Sequence, residues 1–301
     1  MLRYQRLCGC SASTPLLTRF IMKPALLVLT DSSPAAERAR AYAAVLAAPL
    51  GAEVHLLHVH LTPPTTSRVA AVMYATNARN VRRERHALER VAADLPVPAT
   101  ATTVDADWDE AVREALERHR PLLLVAGLTA TDGRLDEWFS NRAVPLAYQT
   151  GYPVLLVPEH LPTTALRPLR CLALAVRDQS FKLTPEAAAL TTLLKALDAT
   201  VVPVTVVPPG ELATGQYGLQ AARECGLTEA LSHSSLHRVV GEEPAAGLRQ
   251  AVDELSADVL ALLDPGHGWV NKVFGGSVID EVLRQSSVPV LLLATRESDL
   301  A

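Results

Sequence analysis

Aromatic residues make up only 4% of this 301-residue chain, and glycine supplies just 15 positions. That glycine share is about 5%, against the roughly 7% usual in globular proteins. Few aromatics leave little material for a surface that recognises bases by stacking. Scarce glycine limits how many backbone loops can approach a phosphate closely. Four cysteines are too few for a disulfide scaffold at this length. The Cys8-Gly9-Cys10 spacing is too short for the usual metal or redox pair, and no second pair completes a zinc site. A reducing cytoplasm is the expected setting. Neither sign of charge dominates: 28 Lys and Arg against 32 Asp and Glu leave a formal charge of −4. That balance disfavours a nucleic-acid binder. No apolar run reaches the roughly 18 residues of a membrane span, so no membrane partner is expected.

What the chain does contain is a hydrophobic content of 49%. That content, with a low net charge, argues against disorder over most of the length, and the length itself favours two domains. The first 21 residues carry Arg3, Arg6 and Arg19 but no long apolar core, which disfavours a secretory signal. Residues 1–22 are read as an N-terminal extension, expected to be disordered, and Met22 directly precedes the first convincing strand.

Ala25-Leu26-Leu27-Val28-Leu29 is continuously apolar, as a parallel strand covered on both faces requires. Ser33-Pro34 then opens a helix: Ser can cap free N–H groups and Pro suits the first helical position. Ala39, Tyr42, Ala43 and Leu46 give that helix its apolar stripe, Gly51 ends it, and Glu53 to Val59 reads as the second strand. A second helix is expected around Val81–Leu95, a strand at Ala99–Val104, and a helix on Trp108, Ala111, Val112 and Ala115. A strand at Leu122–Val125, a fourth helix after Asn141 and a strand at Val154–Val157 complete the unit. Strands alternating with amphipathic helices predict an α/β fold with an open parallel sheet, Rossmann-like in outline.

The pattern then repeats. Strands are expected at Leu172–Val176, Thr200–Val207, Val259–Leu263 and Val290–Leu293, with helices at Pro185–Leu197 and along Leu248, Ala251, Val252 and Leu255. Two Pro-Val-Leu-Leu blocks lie 136 residues apart, at positions 153 and 289. The same offset superposes Val112 on Leu248 and Ala115 on Ala251. It places Trp138 on Phe274, Asn141 on Ser277 and Gly127 on Leu263. At the front, Asp31 to Asp178 is 147 residues. The reading is a tandem duplication, with domain 1 at 23–160, a proline-rich linker at 161–168 and domain 2 at 169–298.

The order strand, Asp31-Ser32-Ser33, helix, a strand ending Leu57-His58-Val59, and later Pro-Val-Leu-Leu resembles the universal stress protein family, twice over. The resemblance implies two domains of the adenine-nucleotide alpha hydrolase-like type, packed as an intramolecular pseudo-dimer through their C-terminal edge strands. A further homodimer is compatible with it. It also implies ATP or another adenine nucleotide as cofactor in members that carry Gly-x2-Gly-x9-Gly-Ser/Thr after the fourth strand. There, glycines admit backbone close to phosphate, and a helix N-terminus favours the anion. An Asp after strand one and main chain at the end of strand two hold the adenosine part.

Carried onto this chain, the motif is eroded. Domain 2 keeps Gly266, nine residues, then Gly276-Ser277, with Leu263 in place of the first glycine. Pro265 removes a backbone donor from the same turn, Lys272 offers a cation, and Asp178 is the adenosine-side candidate. Domain 1 keeps Asp31, Val59 and Gly127, but Ala130, Ser140 and Asn141 stand where Gly, Gly and Ser/Thr belong. Asn141 can still cap a helix, and Gly133 lies off the register. Of six glycines the two motifs would need, Gly127, Gly266 and Gly276 remain. The resemblance therefore implies a stress-response regulatory binding protein with degenerate nucleotide sites. An ATP-binding sensor with weak hydrolysis through domain 2, or a ligand-free interaction module, is the alternative.

Other features read more plainly. His55, His58 and His60 cluster along strand two, and His58 and His60 share a face by the two-residue period. No carboxylate or cysteine stands at a convincing sequence spacing from them, so no metal site is expected. Arg79, Arg82, Arg83, Arg85 and Arg90 alternate with Glu84 and Glu89, as on a solvated, salt-bridged helix face. Neither a Ser-His-Asp signature nor a phosphate-binding P-loop is present, and no residue is assigned to catalysis.

Overall fold

The computed structural model describes residues 23–60, 69–131, 134–135, 143, 145–210, 216–225, 227, 235–264 and 278–296. The first half runs β1 (Ala25–Leu29), α1 (Pro34–Ala47), β2 (Glu53–His60), α2 (Val69–Ala93), β3 (Ala99–Asp105), α3 (Trp108–His119) and β4 (Leu123–Leu128). A two-residue hairpin, β5 (Ala130–Thr131) with β6 (Arg134–Leu135), precedes α4 (Leu146–Thr150) and β7 (Val154–Pro158). The second half runs β8 (Cys171–Ala175), β9 (Lys182–Leu183), α5 (Pro185–Ala188), α6 (Thr191–Ala196), β10 (Thr200–Val207) and α7 (Gln216–Glu224). It ends with β11 (His237–Val240), α8 (Pro244–Leu255), β12 (Val259–Asp264), α9 (Val278–Gln285) and β13 (Val290–Arg296).

All the main strands join one sheet, in the order β11-β10-β8-β12-β13-β7-β4-β1-β2-β3. Each half is parallel within itself, and the halves meet where β13 pairs antiparallel with β7. β9 adds a short antiparallel pair to the end of β13. Because helices cover both faces, the strands need apolar side chains in both directions: every residue of β1 and of β7 is buried. One face packs Leu26, Val28, Val54 and Leu56 with Tyr42 and Leu46 of α1 and, across the junction, with Leu172, Leu174 and Leu193. The other packs Leu27, Leu29 and Leu57 with Val112 of α3, Leu248 and Val252 of α8 and Ile279 of α9. Each fully buried leucine contributes on the order of 2 kcal/mol, and each face carries such leucines from both halves.

The helix starts follow the sequence. Ser33 accepts the Ala36 N–H at 3.1 Å with Pro34 in the first turn, and Asp107 accepts the Asp109 N–H at 3.0 Å ahead of α3. Thr184 caps α5 by accepting the Ala187 N–H at 3.2 Å, and its hydroxyl donates to Gly151 O of the first half at 2.6 Å.

Several elements differ from expectation. α2 begins at Val69, twelve residues before the expected Val81. Val69, Val72 and Met73 stand at the helical spacing i, i+3, i+4, and neither proline nor glycine interrupts the stretch up to Val81. The expected helix Pro185–Leu197 is broken into α5 and α6 around Ala189 and Leu190. The fourth helix of the first half is seen only as α4, since most of 136–144 lies outside the described residues. The strand β11 and helix α7 are additions to the expected pattern; β11 has only four residues, too few for a periodic signal.

Candidate functional site

In open α/β sheets ligands bind beyond the carboxyl ends of the strands, and the neighbouring ends of β2, β1 and β4 form such an edge. Leu29 pairs with Leu57 on one side and with Ala126 on the other. Asp31, Val59 and Gly127 follow these paired positions by one or two residues, so all three lie along that edge. Ser140 and Asn141 lie outside the described residues.

The described residues of that edge bond to one another. Asp31 Oδ1 accepts the Ser33 N–H at 2.7 Å, a turn that leads into the capped start of α1. Gly127 is still inside β4, paired with Val157. A Cβ there would lie 2.6 Å from Ala35 O, so the glycine makes room for the first turn of α1. Arg40 of α1 reaches back and donates to Thr30 Oγ1 at 2.6 Å and to Asp31 O at 3.2 Å. Sequence reading does not single out Arg40, although its place one turn beyond Glu37 on a helix that starts at this edge is an available signal.

In the second half the ladders settle a register that the sequence left open. Leu26 pairs with Leu123 and Leu172 pairs with Val259. Since 259 is 123 plus the repeat offset, Leu172 is the counterpart of Leu26, and Arg177 stands in the place of Asp31. Asp178 lies one position further on. Its Oδ1 accepts the Tyr217 N–H of α7 at 2.9 Å. Gly218 packs that helix directly on the Arg177 carbonyl, with no space for a Cβ. Gly266, Gly276 and Ser277 lie outside the described residues.

The histidines of β2 divide between the two faces of the sheet. His55 stacks on His119 of α3, with ring centroids 3.8 Å apart, and its Nδ1 lies 2.6 Å from Thr100 Oγ1. Desolvation pulls both imidazoles below their ordinary pKa, and the neighbouring His55 and Arg118 charges add to the effect at His119. His58 and His60 face the other way, toward α2. His58 Nδ1 is 2.8 Å from Thr30 O, and His60 Nε2 is 2.7 Å from Glu84 Oε2, with His58 Nε2 3.8 Å from the same oxygen. The carboxylate that meets these histidines, Glu84, is 24 residues from His60, beyond any local sequence spacing, and is carried there by α2.

A cleft of about 700 Å3 lies away from this edge, between α3, α4 and the start of α5, lined by Val112, Leu116, Leu146, Tyr152 and Glu186. Among its described lining residues none belongs to the motif. Among the described residues no helix is long and apolar enough to cross a membrane.

Comparison with known proteins agrees with this architecture. No curated protein matches the sequence at a significant level. A universal stress protein from Archaeoglobus fulgidus is similar in structure, with a TM-score of 0.61 and 15% identity, over 90% of this chain and 98% of that one. A putative universal stress protein from Pseudomonas aeruginosa is similar with a TM-score of 0.50 and 15% identity, over 91% of this chain and 94% of that one. The family profile itself matches twice, at residues 23–158 and 177–294, and the chain belongs to the universal stress protein family.

Proposed function

We propose that this chain is a cytoplasmic regulatory binding protein of the stress response, a pseudo-dimer within one chain, in which the conventional adenine-nucleotide sites have degenerated. The observation that carries the reading is the fate of the two aspartates. Asp31 and Asp178 each accept a backbone N–H from their own chain, and the retained Gly127 is filled from below by α1. These bonds tie both carboxylates into turns and helix contacts of the chain itself, and the strand register puts Arg177, a cation, where the first half has Asp31. The loss of glycine at Ala130 and Ser140 removes the phosphate cradle from the same half.

A second reading rests on Gly266 and Gly276-Ser277, which keep the family spacing in the second half. There the protein is an ATP-binding sensor with one functional site. Calorimetry with ATP, ADP and AMP on the wild type and Ser277→Ala separates the two. The degenerate-site reading expects no heat with any nucleotide. One equivalent bound per chain, weakened by Ser277→Ala, establishes the sensor instead. Two equivalents overturn both.

A further inference from the structure

We propose that His58, His60 and Glu84 form a binding site for a divalent d-block cation, Zn2+ foremost, at the carboxyl end of β2. The proposal stands apart from the nucleotide question and holds whether or not either half binds a nucleotide.

The donor set is assembled by the fold. The two-residue period of β2 puts both imidazoles on the face that α2 covers, and Glu84 enters from that helix. One ligand atom from each residue lies within 4.8 Å of the other two. Around a tetrahedral zinc with bonds of roughly 2.0–2.2 Å, donors stand about 3.4 Å apart. Reaching that geometry requires that the metal displace to solvent the proton His60 Nε2 shares with Glu84, with the ring's remaining proton on Nδ1, that this contact open slightly, and that His58 swing inward. Two imidazoles and one carboxylate favour zinc and its d-block neighbours over Mg2+ or Ca2+, which prefer oxygen.

The supporting contacts match what a metal ligand needs. A carbonyl can only accept, so the 2.8 Å contact with Thr30 O places the His58 proton on Nδ1. With that proton on Nδ1, Nε2 is the ring nitrogen left for a metal, on the side of Glu84 and His60. Metal-binding histidines are commonly held in this way, through a carbonyl on the ring nitrogen that does not bind the metal. Thr30 is itself fixed, its N–H donating to Leu57 O at 2.9 Å and its hydroxyl accepting from Arg40. The His58 and His60 side chains retain 21% and 23% of their exposure and Glu84 44%, which leaves an entry path and room for a water as fourth ligand. The second half does not repeat the set. Leu26 pairs with Val54 and Leu172 with Val201, which makes Thr205 and Val207 the counterparts of His58 and His60.

The test is Co2+ and Zn2+ binding to the full chain, stripped of metal, compared with His60→Gln, Glu84→Gln and the double variant Cys8→Ser/Cys10→Ser. Circular dichroism checks that each variant is folded. The expected result is one equivalent per chain and a Co2+ spectrum without a thiolate charge-transfer band. Affinity should fall about 100-fold or more in His60→Gln and Glu84→Gln, and stay unchanged in the cysteine variant. A wild-type chain that binds neither ion overturns the proposal. So does binding that survives both His60→Gln and Glu84→Gln, or that is lost in Cys8→Ser/Cys10→Ser. If His60→Gln does not fold, Glu84→Gln on the exposed helix face decides.

Discussion

Leu155 of β7 lies directly opposite Leu291 of β13, its own counterpart 136 positions further along the chain. The flanking pairs, Val290 with Leu156 and Leu292 with Val154, obey the same exchange. This is the self-complementary pattern of a two-fold interface, made here within one chain. The pairing turns two edges that would otherwise be open into the middle of a continuous sheet. Leu155 and Leu291 are each only 2% exposed. Leu155→Ala is expected to cost about 2–5 kcal/mol, measured as a lower urea midpoint. A charged residue there, as in Leu155→Asp, should separate unfolding into two transitions as the halves uncouple.

The glycines give a test of space against backbone conformation. Gly127 has an ordinary backbone but no space, whereas Gly51 has φ +59° and nothing within 4 Å of an added Cβ. Gly127→Ala should lower stability by about 1–3 kcal/mol through overpacking against α1. Gly127→Asn should be worse. At Gly51, Asn should be tolerated, since it adopts left-handed backbone more readily than Ala. Thermal unfolding of the four variants checks the crossing pattern. Equal sensitivity to Ala and Asn at Gly51 would contradict it.

Asp258 fastens the connection between halves to the start of β8. Its carboxylate accepts from the Arg170 and Cys171 backbone N–H groups at 2.9 and 3.0 Å, and from Arg167 Nε at 2.9 Å. The Asp258 side chain is 7% exposed, whereas that of Arg167 is 59% exposed. Asp258→Ala should therefore cost roughly 1–3 kcal/mol by leaving backbone donors unsatisfied. Arg167→Ala should cost less than about 1 kcal/mol, as at an exposed ion pair. Comparable losses from the two variants in denaturant melts would show that the ion pair, and not the backbone bonds, supplies the stabilisation.

The His55–His119 stack predicts a specific acid sensitivity. Both folded pKa values lie below the ordinary 6.5, because burial disfavours the charged ring. Below pH 6.5 the unfolded chain takes up protons that the folded one resists. The stabilisation is therefore complete above 6.5 and is lost as pH falls toward the folded values. Replacing both rings, in His55→Gln/His119→Gln, should flatten the stability profile below pH 6.5 while leaving its slope above that pH unchanged. Urea midpoints across the range measure it.

Much of this architecture could be read without coordinates because the signals are local. Ala25–Leu29 is apolar throughout, Ser33-Pro34 opens a helix, and the two Pro-Val-Leu-Leu blocks mark equivalent strands. The candidate site was less legible. Sequence offsets placed Asp178 against Asp31, whereas the ladder from Leu172 to Val259 puts Arg177 there, one residue away. A changed loop length hides such a slip until hydrogen bonds fix the register.

The sequence by itself determined two related α/β units, their helix starts and the shortage of glycine that erodes the phosphate motif, since each depends on residues a few positions apart. Only the tertiary structure decided that Leu155 meets Leu291, that Gly127 is needed by α1, and that Glu84 reaches His60. Those contacts join residues far apart in sequence, and burial of both sheet faces is what brings them together.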